Sequence, residues 1–194
     1  MIRKKYKADF EKLTHILHVS DIHIRNFKRH KEYKSVFRKL YKEARNLPES
    51  SVIYVGGDVV HNKTDISPEL ISLTSEFLNS LANIRKTILI AGNHDANLNN
   101  KSRLDSLSPI VNNLNNPNLH YLRDTGVYTI ADTDFVVMSV FDDPADYPKS
   151  DCSESKNKIA LYHGPMNSSV TDVGFTVKNP EMTLDVFDGF DMAL

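Results

Sequence analysis

The chain has 194 residues, 40% hydrophobic and 25% charged, enough apolar side chain for one domain with a substantial core. Net charge is −1, and a single cysteine, Cys152, excludes an internal disulfide and a cysteine-based zinc site, as expected in a reducing, cytoplasmic compartment. No apolar run approaches the roughly 20 residues a membrane-spanning helix needs, and the basic opening "MIRKKYKADF" lacks the apolar stretch and cleavage site of a secretory signal.

Charge is unevenly spread. Residues 1–45 hold 14 of the 24 Lys and Arg against five of the 25 acids. Two readings stay open: a side facing a polyanion, or the solvated face of an amphipathic helix over "KRHKEYKSVFRKLYKEAR".

In chain order, "THILHVS" (14–20), "SVIYVGG" (51–57), "TILIAGN" (87–93) and "KIALYHG" (158–164) read as strands buried on both faces. A helix is predicted over 31–46, with Tyr33, Phe37 and Tyr41 as core residues and Pro48 as a stop. A second is predicted over 68–83, opened by Ser67–Pro68. The order β-α-β-α-β predicts parallel strands joined by crossover helices. From Leu119 the texture changes: "LHYLRD", "GVYTIAD" and "DFVVMSVFD" predict short strands in a largely antiparallel meander. Residues 115–118 and 142–158 read as loops, the second long enough to move. No linker divides residues 1–194, which read as a single domain.

The strand ends carry the chemistry. The first delivers Asp21 and His23, two apart and so on the same side of an extended chain. The second delivers Gly56, Gly57 and Asp58; the third Gly92, Asn93, His94 and Asp95; the fourth His163 and Gly164. Ligand sites assemble at the carboxyl edge of parallel sheets. Carboxylate, imidazole and amide oxygens together suit a borderline-to-hard divalent metal. His15 and His18 read as structural, His30 and His120 as surface or turn residues, and Cys152 as an ordinary loop residue.

Four such motifs in this order, "DIH", "GGD", "GNHD" and "HG", make the chain resemble the calcineurin-like metallophosphoesterases. "GDVVHN", "AGNHDANL" and "DGFDMAL" look most like the SbcD-type DNA repair nucleases and the recombination nuclease subunits of large phages. The resemblance implies an α/β fold: a two-sheet sandwich of mixed strands flanked by helices in an α/β/β/α arrangement. It implies that Asp21 and His23 bind one metal, Asn93 and His163 a second, and that Asp58 bridges both. His94 would sit near the scissile phosphate as proton donor or charge stabiliser rather than as a ligand. Asp95 would orient His94 or serve its turn, and His61 would either engage substrate or be a supporting or surface histidine. The implied cofactors are two divalent ions sharing a hydroxide, Mn²⁺ favoured over Mg²⁺, Fe²⁺ or Zn²⁺. The family's final G-H-x-H is absent, so the chain is expected to be incomplete at its C-terminus and weakly active or inactive alone.

The implied activity is exonuclease or endonuclease cleavage of DNA in repair or recombination. Arg25, Lys28, Arg29 and Lys31 would anchor the DNA backbone. The implied partners are DNA, a coiled-coil ATPase of the SbcC type and a second copy of the chain, with no membrane, in the cytoplasm, the nucleoid or a viral replication site. Two alternatives share the motifs: an esterase for nucleotides, small phosphodiesters or phosphoproteins, and a catalytically silent binding scaffold.

Overall fold

The four β-branched runs of the sequence fold as strands, though the first, His15–Val19, is a sheet edge with His15 and His18 exposed rather than a strand buried on both faces. The computed structural model describes residues 1–100, 102–170, 173–179 and 181–194. The elements in order are β1 (Ile2–Tyr6), β2 (His15–Val19), α1 (His30–Asn46), β3 (Ser51–Val55), α2 (Pro68–Ile84), β4 (Lys86–Leu89), α3 (Ser108–Leu114), β5 (Leu119–Tyr121), β6 (Gly126–Ile130), β7 (Thr133–Met138), β8 (Asn157–Tyr162) and β9 (Met192–Ala193). Single 3-10 turns stand at Pro144–Asp146, Ser150–Cys152 and Leu184–Phe187.

Two sheets form. The first is wholly parallel, in the order β2-β3-β4-β5; the second is mixed, in the order β1-β6-β7-β8-β9. Strand alternation explains the layering. In β3, Ile53 and Val55 face a core shared with Phe37 and Tyr41 of α1 and Leu70, Phe77 and Leu81 of α2. Val52 and Tyr54 of the same strand face Tyr128, Phe135, Val137 and Leu161 of the mixed sheet. A strand buried on both sides has no room for a polar position, hence its unbroken apolar run. The three α-helices pack on the parallel sheet, α2 starting where the Ser67 hydroxyl accepts from Leu70 N–H at 3.2 Å with Pro68 in the first turn.

The second half departs from the predicted meander. Among the described residues only β6–β7 is an antiparallel strand pair; β7–β8, β8–β9 and β1–β6 run parallel, and β5 joins the other sheet parallel to β4. The reason is connection length. Residues 139–156 are ample to carry the chain back for a parallel return, and α3 supplies the β4–β5 crossover. The long loop is also organised. Ser153 Oγ donates to Asp134 at 2.7 Å, Arg3 Nη2 to the Cys152 carbonyl at 2.6 Å, and Lys158 Nζ to the Ser150 carbonyl at 3.3 Å.

His120 is not a surface or turn residue. It lies half-buried in β5, stacked on Tyr6 at 4.0 Å, and burial, then the charges of Lys86 and Lys4, push its pKa down to about 4. No helix among the described residues is long and apolar enough to cross a membrane.

Candidate metal centre

The parallel strands end along one rim, and the loops beyond them are laced together by backbone. Asp21 N–H donates to the Gly57 carbonyl, His23 N–H to Asp58, and Ile24 N–H to Val59, at 2.9 to 3.2 Å. Asp21, His23 and Asp58 all adopt left-handed backbone, with φ of 54°, 49° and 50°. Side chains at such positions cost roughly 1–3 kcal/mol each and persist where the surroundings over-determine them. Asp21 and His23 therefore converge, but through a twisted loop rather than through the alternation of an extended strand.

Asp58 is the centre of the cluster. It is almost fully buried, and one carboxylate oxygen accepts His94 N–H at 2.8 Å. The other lies 3.6 Å from His23 Nε2 and 3.3 Å from His163 Nε2. His23 Nε2 is also 3.8 Å from Asp21, so Asp21, His23 and Asp58 form one compact donor set. Burial works against the charge on Asp58. The His163 hydrogen bond, the His94 amide and the charges of both histidines outweigh it and hold its pKa below the usual value.

On the far side of Asp58, His163 donates Nδ1–H to the Gly56 carbonyl at 2.6 Å, which turns Nε2 toward the carboxylate. Asn93 lines the same open cleft of about 770 Å³ as Asp21, Asp58 and His163, with Tyr162 and Leu194 also on its wall. The donors fit divalent cations: two carboxylates and inward-facing imidazoles meet with no Lys or Arg ion-paired to Asp21 or Asp58 among the described residues. His23 Nδ1 is buried with no hydrogen-bond partner among the described residues.

His94 donates Nδ1–H to the His61 carbonyl at 2.7 Å, which leaves Nε2 unengaged by that contact. Its ring meets His23 edge-on at 4.7 Å and stacks on His61 at 5.7 Å. His61 therefore enters the site twice, by its carbonyl and by its ring.

Asp95 does not orient His94. It is fully buried and accepts from the N–H groups of Val59, Val60 and Gly92 at 3.0 to 3.2 Å, clamping two site loops together; burial pushes its pKa up to about 6. Arg29 is spent on Glu32, at 2.7 Å from Nε and 2.5 Å from Nη2, and is a poor anchor for substrate. Arg25 and Lys28 remain exposed beside His61 and help to lower its pKa, after desolvation. Two further residues belong to the site. Tyr33 of α1 donates its hydroxyl to the His23 carbonyl at 2.7 Å, and Lys63 donates Nζ–H to the Asn93 carbonyl at 3.2 Å. Neither carries a sequence signal: Tyr33 occupies a helical position that reads as core, and Lys63 stands in an ordinary polar loop.

A model of the calcineurin-like phosphoesterases matches residues 14–191. An uncharacterized protein, R555, of Acanthamoeba polyphaga mimivirus is 43% identical over 189 residues. That alignment covers 92% of this chain and 14% of the relative, so the chain spans a small part of the relative's length.

Proposed function

The chain belongs to the calcineurin-like phosphoesterase family, whose members are metal-dependent hydrolases, and from that premise we propose that it cleaves phosphodiester bonds in DNA as an SbcD-type nuclease. The observation that carries the reading is the single Asp58 oxygen standing between His23 on one side and His163 on the other, as a shared ligand of two cations requires.

Asp21 and His23 would hold one divalent ion, Asn93 and His163 the other, and Asp58 both, with Mn²⁺ favoured by the nuclease resemblance and compatible with the mixed oxygen and nitrogen donors. When bound, the two ions supply Lewis acidity, lowering the pKa of an attacking water and neutralising phosphate oxygens. The chain's own residues do the rest. His94, its Nδ1 fixed on the His61 carbonyl, presents Nε2 as proton donor to the departing sugar oxygen. Lys63, beside Asn93, and Arg25 and Lys28, beside His61, would offer cations to the flanking phosphates, contacts that carry no base sequence information. The buried Asp95 clamp keeps the loops of Asp58 and Asn93 in register.

DNA is favoured as substrate by the cationic first 45 residues, which include the Asp21–His23 loop. On the same resemblance, an SbcC-type ATPase and a second copy of the chain are the proposed partners, in the cytoplasm or at a site of nucleoid or viral replication.

The test is release of labelled nucleotides from single- and double-stranded DNA in millimolar Mn²⁺, alongside mononucleotides and a phosphopeptide. DNA should be cleaved, and Asp58→Asn and His94→Ala should each lower the rate at least 100-fold. Hydrolysis of nucleotides or phosphopeptide with none of DNA would reassign the substrate.

A further inference from the structure

The site uses cations of the loop before α1, but the helix itself carries more. Lys31, Lys34, Arg38, Lys42 and Arg45 recur at steps of three and four residues, so they stand above one another on one face, and all five are exposed. Phe37, Tyr41 and Ala44 hold the buried side. Glu32 and Glu43, the acids of the helix, lie on another flank, about 120° round the axis. Lys34 is 3.9 Å from Glu76 of α2; the other four have no ion pair among the described residues.

From Lys31 to Arg45 the row is about 21 Å long at a rise of about 1.5 Å per residue, with successive cations about 4.5 to 6 Å apart. One strand of duplex DNA presents a phosphate about every 3.4 Å along its axis. Over that length five cations therefore face about six phosphates of one strand. The row also has a fixed origin. The Tyr33 hydroxyl in the first turn of α1 grips the His23 carbonyl, so the helix starts at the metal cluster. As the crossover between the parallel strands β2 and β3, α1 then runs back along the outer face of the sheet, away from the rim.

We propose that the cation row of α1 is a phosphate track that holds about six nucleotides to one side of the scissile bond. The proposal rests on DNA as the substrate and adds a footprint to it: a directed, sequence-blind path leading out of the cleft. The alternative occupants, an acidic peptide or solvent alone, are separated by the experiment.

Binding of a fluorescein-labelled 30-base-pair duplex is followed by anisotropy in EDTA, from 50 to 200 mM salt, for the full chain and for Arg38→Gln/Lys42→Gln/Arg45→Gln. The slope of log K against log salt should become shallower by about 2 to 3 in the triple variant, close to 0.9 per lost phosphate contact. An unchanged slope overturns the track, as does no duplex binding at 50 mM salt. So does poly-glutamate bound as tightly as DNA and lost in the same variant. The two claims fail separately. DNA cleavage in Mn²⁺ with an unchanged slope removes the track and leaves the nuclease, and a shallower slope in a protein that cleaves no DNA does the reverse.

Discussion

Gly92 packs against Asp58 so closely that a β-carbon on Gly92 would overlap the Asp58 carboxylate and stand about 2.7 Å from its Cγ. Gly57 is as constrained, with φ at +93° and the Gly92 nitrogen 2.7 Å from where its β-carbon would lie. The glycines of these two motifs therefore allow two loops to close on the carboxylate shared by the cluster. Gly92→Ala should weaken Mn²⁺ binding about 10- to 100-fold, the range seen when groups supporting a metal ligand are disturbed. Titration calorimetry checks it.

Tyr33 supports the same cluster from outside. Its hydroxyl satisfies the carbonyl of His23, a residue held in left-handed backbone. Tyr33→Phe keeps the ring and removes one hydrogen bond, so stability should fall by about 1 kcal/mol. Mn²⁺ affinity should fall with it, because His23 loses its support. Urea unfolding and calorimetry on the same variant separate the two; a stability loss with unaltered affinity would make Tyr33 a packing residue only.

The Asp95 clamp gives a third expectation. Three backbone donors converge on its buried carboxylate, and Asp95→Asn would turn an amide donor toward N–H groups that need acceptors. A loss of about 1–3 kcal/mol should follow, with Mn²⁺ affinity falling in parallel as the loops loosen. Were Asp95 only a partner for His94, the melting temperature would not move.

His120 contributes an acid sensitivity far from the cleft. Its pKa is about 4 in the folded chain against 6.5 for a free histidine. Between those values the unfolded chain binds a proton that the folded chain refuses. Its contribution is therefore intact above pH 6.5 and is lost progressively as pH falls toward 4. His120→Phe, which keeps an aromatic ring for Tyr6, should lose less stability than the parent between pH 7 and pH 5, measured by urea midpoints.

Much of this was legible in the residues. β3, β4 and the centre of β8 announce themselves because strands buried on both faces tolerate little but apolar side chains. β2 shows the same β-branched run at a sheet edge, and the polar ends of all four mark the rim. β1 was not legible: its "IRKKY" is basic, and it pairs with β6 by backbone on an exposed edge. α3 has seven residues, too few to display a helical period. The convergence of Asp21 and His23 was foreseen for the wrong reason, since left-handed turns bring them together and no side-chain pattern reports φ. The same blindness hid what Asp95 and Arg29 touch, because partners such as Val60 N–H depend on how separate loops fold together.

The central claim is that Asp58 is shared between two cations, and Mn²⁺ electron paramagnetic resonance tests it most directly. With two equivalents of Mn²⁺ the parent chain should show the exchange-coupled spectrum of a dinuclear pair, and Asp58→Asn should lose it. Retention of the coupled signal in Asp58→Asn, or two uncoupled ions in the parent, would contradict the account.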